Sequence, residues 1–170
     1  MRLFIAIDLS GGMKAALTGL QADLRRQGVG GTYTRPENLH LTLAFLGEAG
    51  DPEPVLDVLR AVPFRPFPLA LEGFGRFGSL YWAGTAPSEP LAAYVRRLRR
   101  ALAEGGIPFD RKRFSPHITL LRRAEERNGP PRLSVPPAGM EVERISLFRS
   151  DRGKNGMLYT ELGWAEGTGP

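Results

Sequence analysis

The chain has 170 residues, 42% of them hydrophobic, with a formal net charge of +5 and no cysteine. That size holds one domain or two small lobes around a shared core, the apolar content excludes a disordered chain, and the missing thiols exclude disulfides and thiolate zinc centres. The positive charge comes from 20 Arg against 3 Lys; arginine's rigid fork suits phosphate oxygens, although such a bias also follows from genome composition or thermal adaptation.

Leu3 to Leu9 is apolar and reads as a buried strand. Asp8 interrupts it and no small-residue cleavage site follows, so we expect no signal peptide. No apolar run is long enough for a bilayer, and we expect a cytoplasmic protein without membrane contact. Ser10 is placed to cap a helix carrying Met13, Leu17, Leu20 and Leu24 on one face, ended by Gly28 to Gly31. An extended segment, Thr32 to Leu46, follows. A second helix is expected over Pro52 to Ala61, opened by Asp51 and stopped near Pro63. Pro68 to Phe77 and Leu80 to Ala86 read as a hairpin turning at Gly78-Ser79. Ser88 caps a third helix, with Leu91, Val95, Leu98 and Leu102 on one face and Gly105-Gly106 at its end. Phe109 to Arg123 is again extended. Asn128 to Gly139 is a loop rich in proline. Two late strands are expected near Met140 to Ser150 and Met157 to Trp164, joined by Asp151 to Gly156.

The chain holds only two histidines, and each opens the same His-x-Thr-Leu pattern: His40-Leu41-Thr42-Leu43 and His117-Ile118-Thr119-Leu120, offset by 77 residues. The order around them also repeats: a helix closed by glycines, an extended basic segment, then the motif, over 11–46 and again over 88–123. We read residues 1–170 as a single domain made of two pseudo-repeated α+β lobes with a groove between them. In a strand, residues i and i+2 share a face. His40 and Thr42 then face the groove while Leu39, Leu41 and Leu43 anchor the strand, and His117 and Thr119 likewise oppose Ile118 and Leu120. Two imidazoles from two lobes supply a general base and a general acid near neutral pH. The threonine hydroxyls are placed to donate to phosphoryl oxygens. Arg122 and Arg123 end the second motif and Arg111 and Arg113 lead into it. Regular alternation puts Arg123 on the His117 face, and a bulge would exchange it for Arg122.

A single His-x-Thr-Leu carries little information, since threonine is a good strand former and most histidines are structural. The pairing is what points to a site. Neither motif brings further ligands at metal spacing, so no metal and no cofactor is expected. Gly73-Phe74-Gly75-Arg76-Phe77-Gly78 lacks the Gly-Lys-Ser/Thr of a phosphate-binding loop; its aromatics suit a core better than bases. Arg96, Arg97, Arg99 and Arg100 lie largely off the apolar stripe of the third helix, as a solvated face or an RNA-facing patch. Tyr81-Trp82 reads as part of a buried hairpin.

The paired motifs resemble the two-histidine (2H) phosphoesterase superfamily. Within it, Met1-Arg2-Leu3-Phe4-Ile5-Ala6-Ile7, Glu37-Asn38-Leu39-His40-Leu41-Thr42-Leu43 with Phe45-Leu46-Gly47, and Phe114-Ser115-Pro116-His117-Ile118-Thr119-Leu120 with Arg122 resemble the RNA 2′,3′-cyclic phosphodiesterases, also called 2′-5′ RNA ligases. The resemblance implies two similar lobes, each a mainly antiparallel sheet with helices outside, around a central cleft. It implies metal-free hydrolysis of an RNA terminal 2′,3′-cyclic phosphate to a 2′-phosphate, with 2′-5′ ligation as related chemistry. By position, His40 is the proton donor, His117 the proton acceptor, and Thr42, Thr119 and Arg122 bind the substrate. The implied partners are RNA ends such as those of tRNA halves, acted on by a monomer. The competing readings are a non-catalytic RNA- or nucleotide-binding module, and a phosphodiesterase for 2′-5′ oligonucleotides or an ADP-ribose cyclic phosphate.

Overall fold

Alternating apolar residues build two antiparallel sheets, and the helices cover their outer faces. The structure is a computed structural model that describes residues 1–169. Its strands are β1 (Arg2–Asp8), β2 (Val29–Tyr33), β3 (His40–Glu48), β4 (Phe67–Phe77), β5 (Leu80–Thr85), β6 (His117–Glu126), β7 (Gly139–Val142), β8 (Arg144–Gly153) and β9 (Gly156–Glu166). Helices are α1 (Gly11–Arg26), α2 (Glu53–Ala61) and α3 (Glu89–Glu104), with one 3-10 turn over Pro36–Asn38. One sheet has the order β3-β1-β8-β9 and the other β2-β6-β5-β4-β7. This is the α+β, two-sheet arrangement expected from the sequence.

The capping residues act as anticipated. Ser10 Oγ accepts from the Met13 amide and Ser88 Oγ from the Leu91 amide, each at 3.2 Å, closing donors that helix starts leave open. Met13, Leu17, Leu20 and Leu24 are buried along α1, and Leu91, Tyr94, Val95, Leu98 and Leu102 along α3. The helices cross between halves. α1, which precedes the first histidine, packs on β2, β6 and β7, the sheet that carries His117. α3, which precedes the second, packs on α2 and β3, on the side of His40.

Several boundaries differ from the sequence reading. α1 ends at Arg26, and Gly30 and Gly31 belong to β2 rather than to a helix terminus. Gly31 has φ +145°, and a Cβ there would lie 2.8 Å from the Arg122 carbonyl oxygen, so glycine lets β2 approach β6 closely. The segment 32–46 is broken by the 3-10 turn between β2 and β3; the two strands join different sheets, so the chain must turn between them. The late stretch 140–150 is split at Glu143 for the same reason: β7 pairs with β4, and β8 with β1.

Candidate active site

The two motifs begin β3 and β6, which touch where the sheets meet. His40, Thr42, His117, Thr119 and Arg122 all line one cavity of about 630 Å³. Each histidine is half-buried, and each Nδ1 is 2.6–2.7 Å from the carbonyl oxygen two residues earlier: Asn38 for His40 and Ser115 for His117. Since a carbonyl only accepts, both rings carry a proton on Nδ1 and turn Nε2 to the cavity. His40 Nε2 lies 2.8 Å from Thr42 Oγ1.

A bulge decides the arginine. The β5–β6 register slips after Trp82↔Thr119, so that Tyr81 faces Leu121. Leu120 and Leu121 are both buried, and Arg122 emerges on the His117 face. Arg123 is left with φ 55° and does not line the cavity. β3 repeats the device: Ile5 pairs with Ala44 and Ala6 with Thr42, leaving Leu43 extra. Leu43 and Ala44 are both buried, and Phe45 emerges into the cavity with 51% of its surface exposed. The site is thus built twice but furnished differently, with an arginine on one side and an aromatic ring on the other.

Each bulge is held by the helix from the other half. Gln21 of α1, 2% exposed, donates from Nε2 to the Leu120 carbonyl (2.9 Å) and the Thr34 carbonyl (2.8 Å). Arg99 of α3 donates to the Leu43 carbonyl (3.4 Å) and to that of Lys112 (2.7 Å). The neighbouring α3 arginines also make contacts within the chain: Arg96 pairs with Glu89 and Arg97 donates to the Pro63 carbonyl. Arg111 stacks 4.7 Å over Phe109, and neither it nor Arg113 lines the cavity.

The two imidazoles have different surroundings. The His40 ring centre lies 5.0 Å from that of Phe4 and 5.3 Å from that of Tyr159, to which it is nearly perpendicular. Burial in this aromatic nest pushes its pKa below the ordinary 6.5, opposed by the Asn38 carbonyl and the Asp8 carboxylate. The positive charge of Arg122 lowers it further, as does that of His117 whenever that ring is protonated, so both act on His40 across the cavity. His117 instead meets Phe77 edge-on at 5.2 Å and Trp82 at 6.4 Å. Phe77 is 48% exposed, whereas Phe74 packs on buried Tyr81. The glycine-rich stretch is explained by Trp82: a Cβ on Gly75 would fall 2.3 Å from its ring.

Gln21, Asn38, Phe4 and Tyr159 were not marked by the sequence as site residues. Asn38 is buried, and its Nδ2 donates to the Met157 carbonyl at 2.9 Å, tying the turn before His40 to β9. Only Asn38 carried a signal, as a polar residue beside the motif. Among the described residues no three His, Cys, Asp or Glu side chains converge as a metal-ligand set, and no helix is long and apolar enough to cross a membrane.

A family profile described as the 2′-5′ RNA ligase superfamily matches residues 14–154. The chain belongs to this superfamily. It is 31% identical to a Thermotoga maritima protein named RNA 2′,3′-cyclic phosphodiesterase, with 95% of this chain and 93% of the relative covered. A Thermus thermophilus protein of the same name is 36% identical, over 95% and 88%. The crystal structure of Escherichia coli LigT complexed with 3′-AMP superimposes with a TM-score of 0.80 at 29% identity, covering 98% of this chain and 97% of that one. These matches make the α+β architecture that of LigT-like members of the superfamily.

Proposed function

We propose that this 2′-5′ RNA ligase superfamily member opens the terminal 2′,3′-cyclic phosphate of RNA to a 2′-phosphate, using its two histidines as acid and base. The observation that carries the reading is the placement of both His-Thr pairs and Arg122 around one cavity. The relatives' shared name, RNA 2′,3′-cyclic phosphodiesterase, supports the substrate class.

In this mechanism Nε2 of neutral His117 takes a proton from water as the water oxygen attacks phosphorus. The P–O3′ bond breaks, and O3′ takes the proton from Nε2 of protonated His40. The product carries a 2′-phosphate and a free 3′-hydroxyl. Thr42, Thr119 and Arg122 hold the non-bridging oxygens and their developing charge. The Nδ1–carbonyl bonds fix both rings, so that each proton moves at Nε2. An imidazole with a lowered pKa is a strong acid once protonated, and the arriving phosphate anion favours its charged form. A nucleoside 5′-hydroxyl in the place of water gives the 2′-5′ linkage by the same geometry.

The mechanism uses both sheets, and α1 and α3 each brace the other half's bulge. We accordingly take the chain as one catalytic unit of two pseudo-repeated lobes. The deciding experiment is product identification from an RNA oligomer with a 2′,3′-cyclic phosphate, in the presence of EDTA. A 2′-phosphate end is expected. A 3′-phosphate would reverse the leaving group and remove the assigned roles, and tight, salt-dependent binding without turnover would make the chain a binding module. Turnover of an ADP-ribose cyclic phosphate or a 2′-5′ oligonucleotide in place of the RNA end would move it to another substrate.

A further inference from the structure

Three charged side chains other than the histidines line the cavity: Arg122, Asp110 at the rim, and Arg2. The mechanism uses only the first. Asp110 is held in the rim, its amide donating to the Phe45 carbonyl at 2.8 Å and its Oδ1 accepting from the Lys112 amide at 3.0 Å.

Arg2 lies on the cavity face of β1, two residues before Phe4, whose ring packs on His40. Its neighbours across the sheet are Glu48 on β3 and Ser150 on β8. Glu48 would ordinarily pair with it, but the Glu48 carboxylate is taken by the Met1 ammonium group at 3.2 Å. Among the described residues Arg2 therefore makes no ion pair, although it is exposed at the edge of an anion-binding cavity. Ser150 brings a hydroxyl to the same cavity, and Gly47 also lines it, with open space where a Cβ would be. Arg152, exposed and two residues past Ser150, shares that face by strand alternation and continues the positive line.

Position along the strand gives the scale. Ala6 stands opposite Thr42, so Arg2 is four residues, about 13 Å, farther along β1 from the phosphate-holding threonine. An extended arginine side chain covers roughly half of that. The remaining gap is the scale of one nucleotide step, and the cavity, at about 630 Å³, exceeds what one cyclic nucleotide fills.

From this we infer that Arg2 binds the phosphodiester preceding the terminal nucleotide, so that the cleft reads an RNA chain end rather than a free cyclic nucleotide. The inference rests on the phosphodiesterase reading above.

Three substrates test it: a 2′,3′-cyclic mononucleotide, a dinucleotide ending in the same cyclic phosphate, and that dinucleotide with a neutral methylphosphonate link. The wild-type protein should prefer the charged dinucleotide over the neutral one by about ten-fold in kcat/KM, the size of one charge-assisted contact. Arg2→Gln should abolish that preference, and Arg2→Lys should restore part of it. Equal losses on all three substrates, or an Arg2→Gln protein that still prefers the charged link, would overturn the inference. So would a wild-type protein indifferent to the link. Wild-type protein that opens none of the three would instead overturn the phosphodiesterase reading itself, and this inference with it.

Discussion

His40 and His117 share a His-x-Thr-Leu pattern, a tautomer and a cavity, but not an environment. The Phe4–Tyr159 nest shields one side of His40 and disfavours its charged form. By NMR, the His40 ring should titrate below 6.5, and inorganic phosphate in the cleft should move its pKa upward. A fixed or falling value on phosphate binding would separate the ring from the anion site. The same shift has a stability consequence. Above pH 6.5 His40 is neutral in both folded and unfolded chains. As the pH falls through 6.5 towards the lower folded value, the unfolded chain takes up the proton first, and stability is lost over that window. His40→Asn should remove this component from the pH dependence of urea unfolding. His40→Ala and His117→Ala should each lower turnover by about 10²- to 10⁴-fold, the range for one acid–base group, while circular dichroism stays unchanged. Full activity in either variant would take that histidine out of the mechanism.

Among the elements, the bulges of β3 and β6 matter most, because they turn a two-residue alternation into His-x-Thr-x-x-Phe45 and His-x-Thr-x-x-Arg122 faces. Gln21 holds the second bulge through the buried Leu120 carbonyl and ties it to the Thr34 carbonyl. Gln21→Leu keeps the volume but withdraws both donors, and should cost about 1–3 kcal/mol in denaturant unfolding. Stability at the wild-type level would mean that the β6 bulge needs no brace. The hairpin of β4 and β5 is equally specific. Gly75→Ala drives a methyl group into the Trp82 ring and should cost about 1–3 kcal/mol. It should also reduce turnover, because Trp82 and Phe77 flank His117; an unchanged kcat would show that this aromatic wall does not position the ring.

For the molecule as a whole, each histidine sits on a different sheet, and the helix before each motif packs against the other half. Neither half closes the cavity alone. Because RNA is a polyanion and the cavity carries Arg2 and Arg122, KM for a cyclic-phosphate oligonucleotide should rise steeply with salt, more than for the cyclic mononucleotide. Equal salt dependence for the two would confine recognition to the terminal phosphate.

Much of this was legible in the residues. Apolar spacing and the Ser10 and Ser88 caps marked α1 and α3, because helix periodicity and capping are local properties. The repeated His-x-Thr-Leu marked the candidate reacting groups, because alternation in a strand commits both side chains to one face. What the sequence could not decide is whatever depends on distant pairing. Choosing Arg122 over Arg123 by geometry required the β6 bulge opposite β5. The role of Gln21 required a carbonyl 99 positions away. The splitting of residues 140–150 and the crossing of α1 and α3 followed from which sheet each strand joined. Local chemistry determines the groups that react; only the closing of two sheets against each other decides which neighbours tune them, since burial and contact between residues far apart in the chain do not exist until the chain has folded.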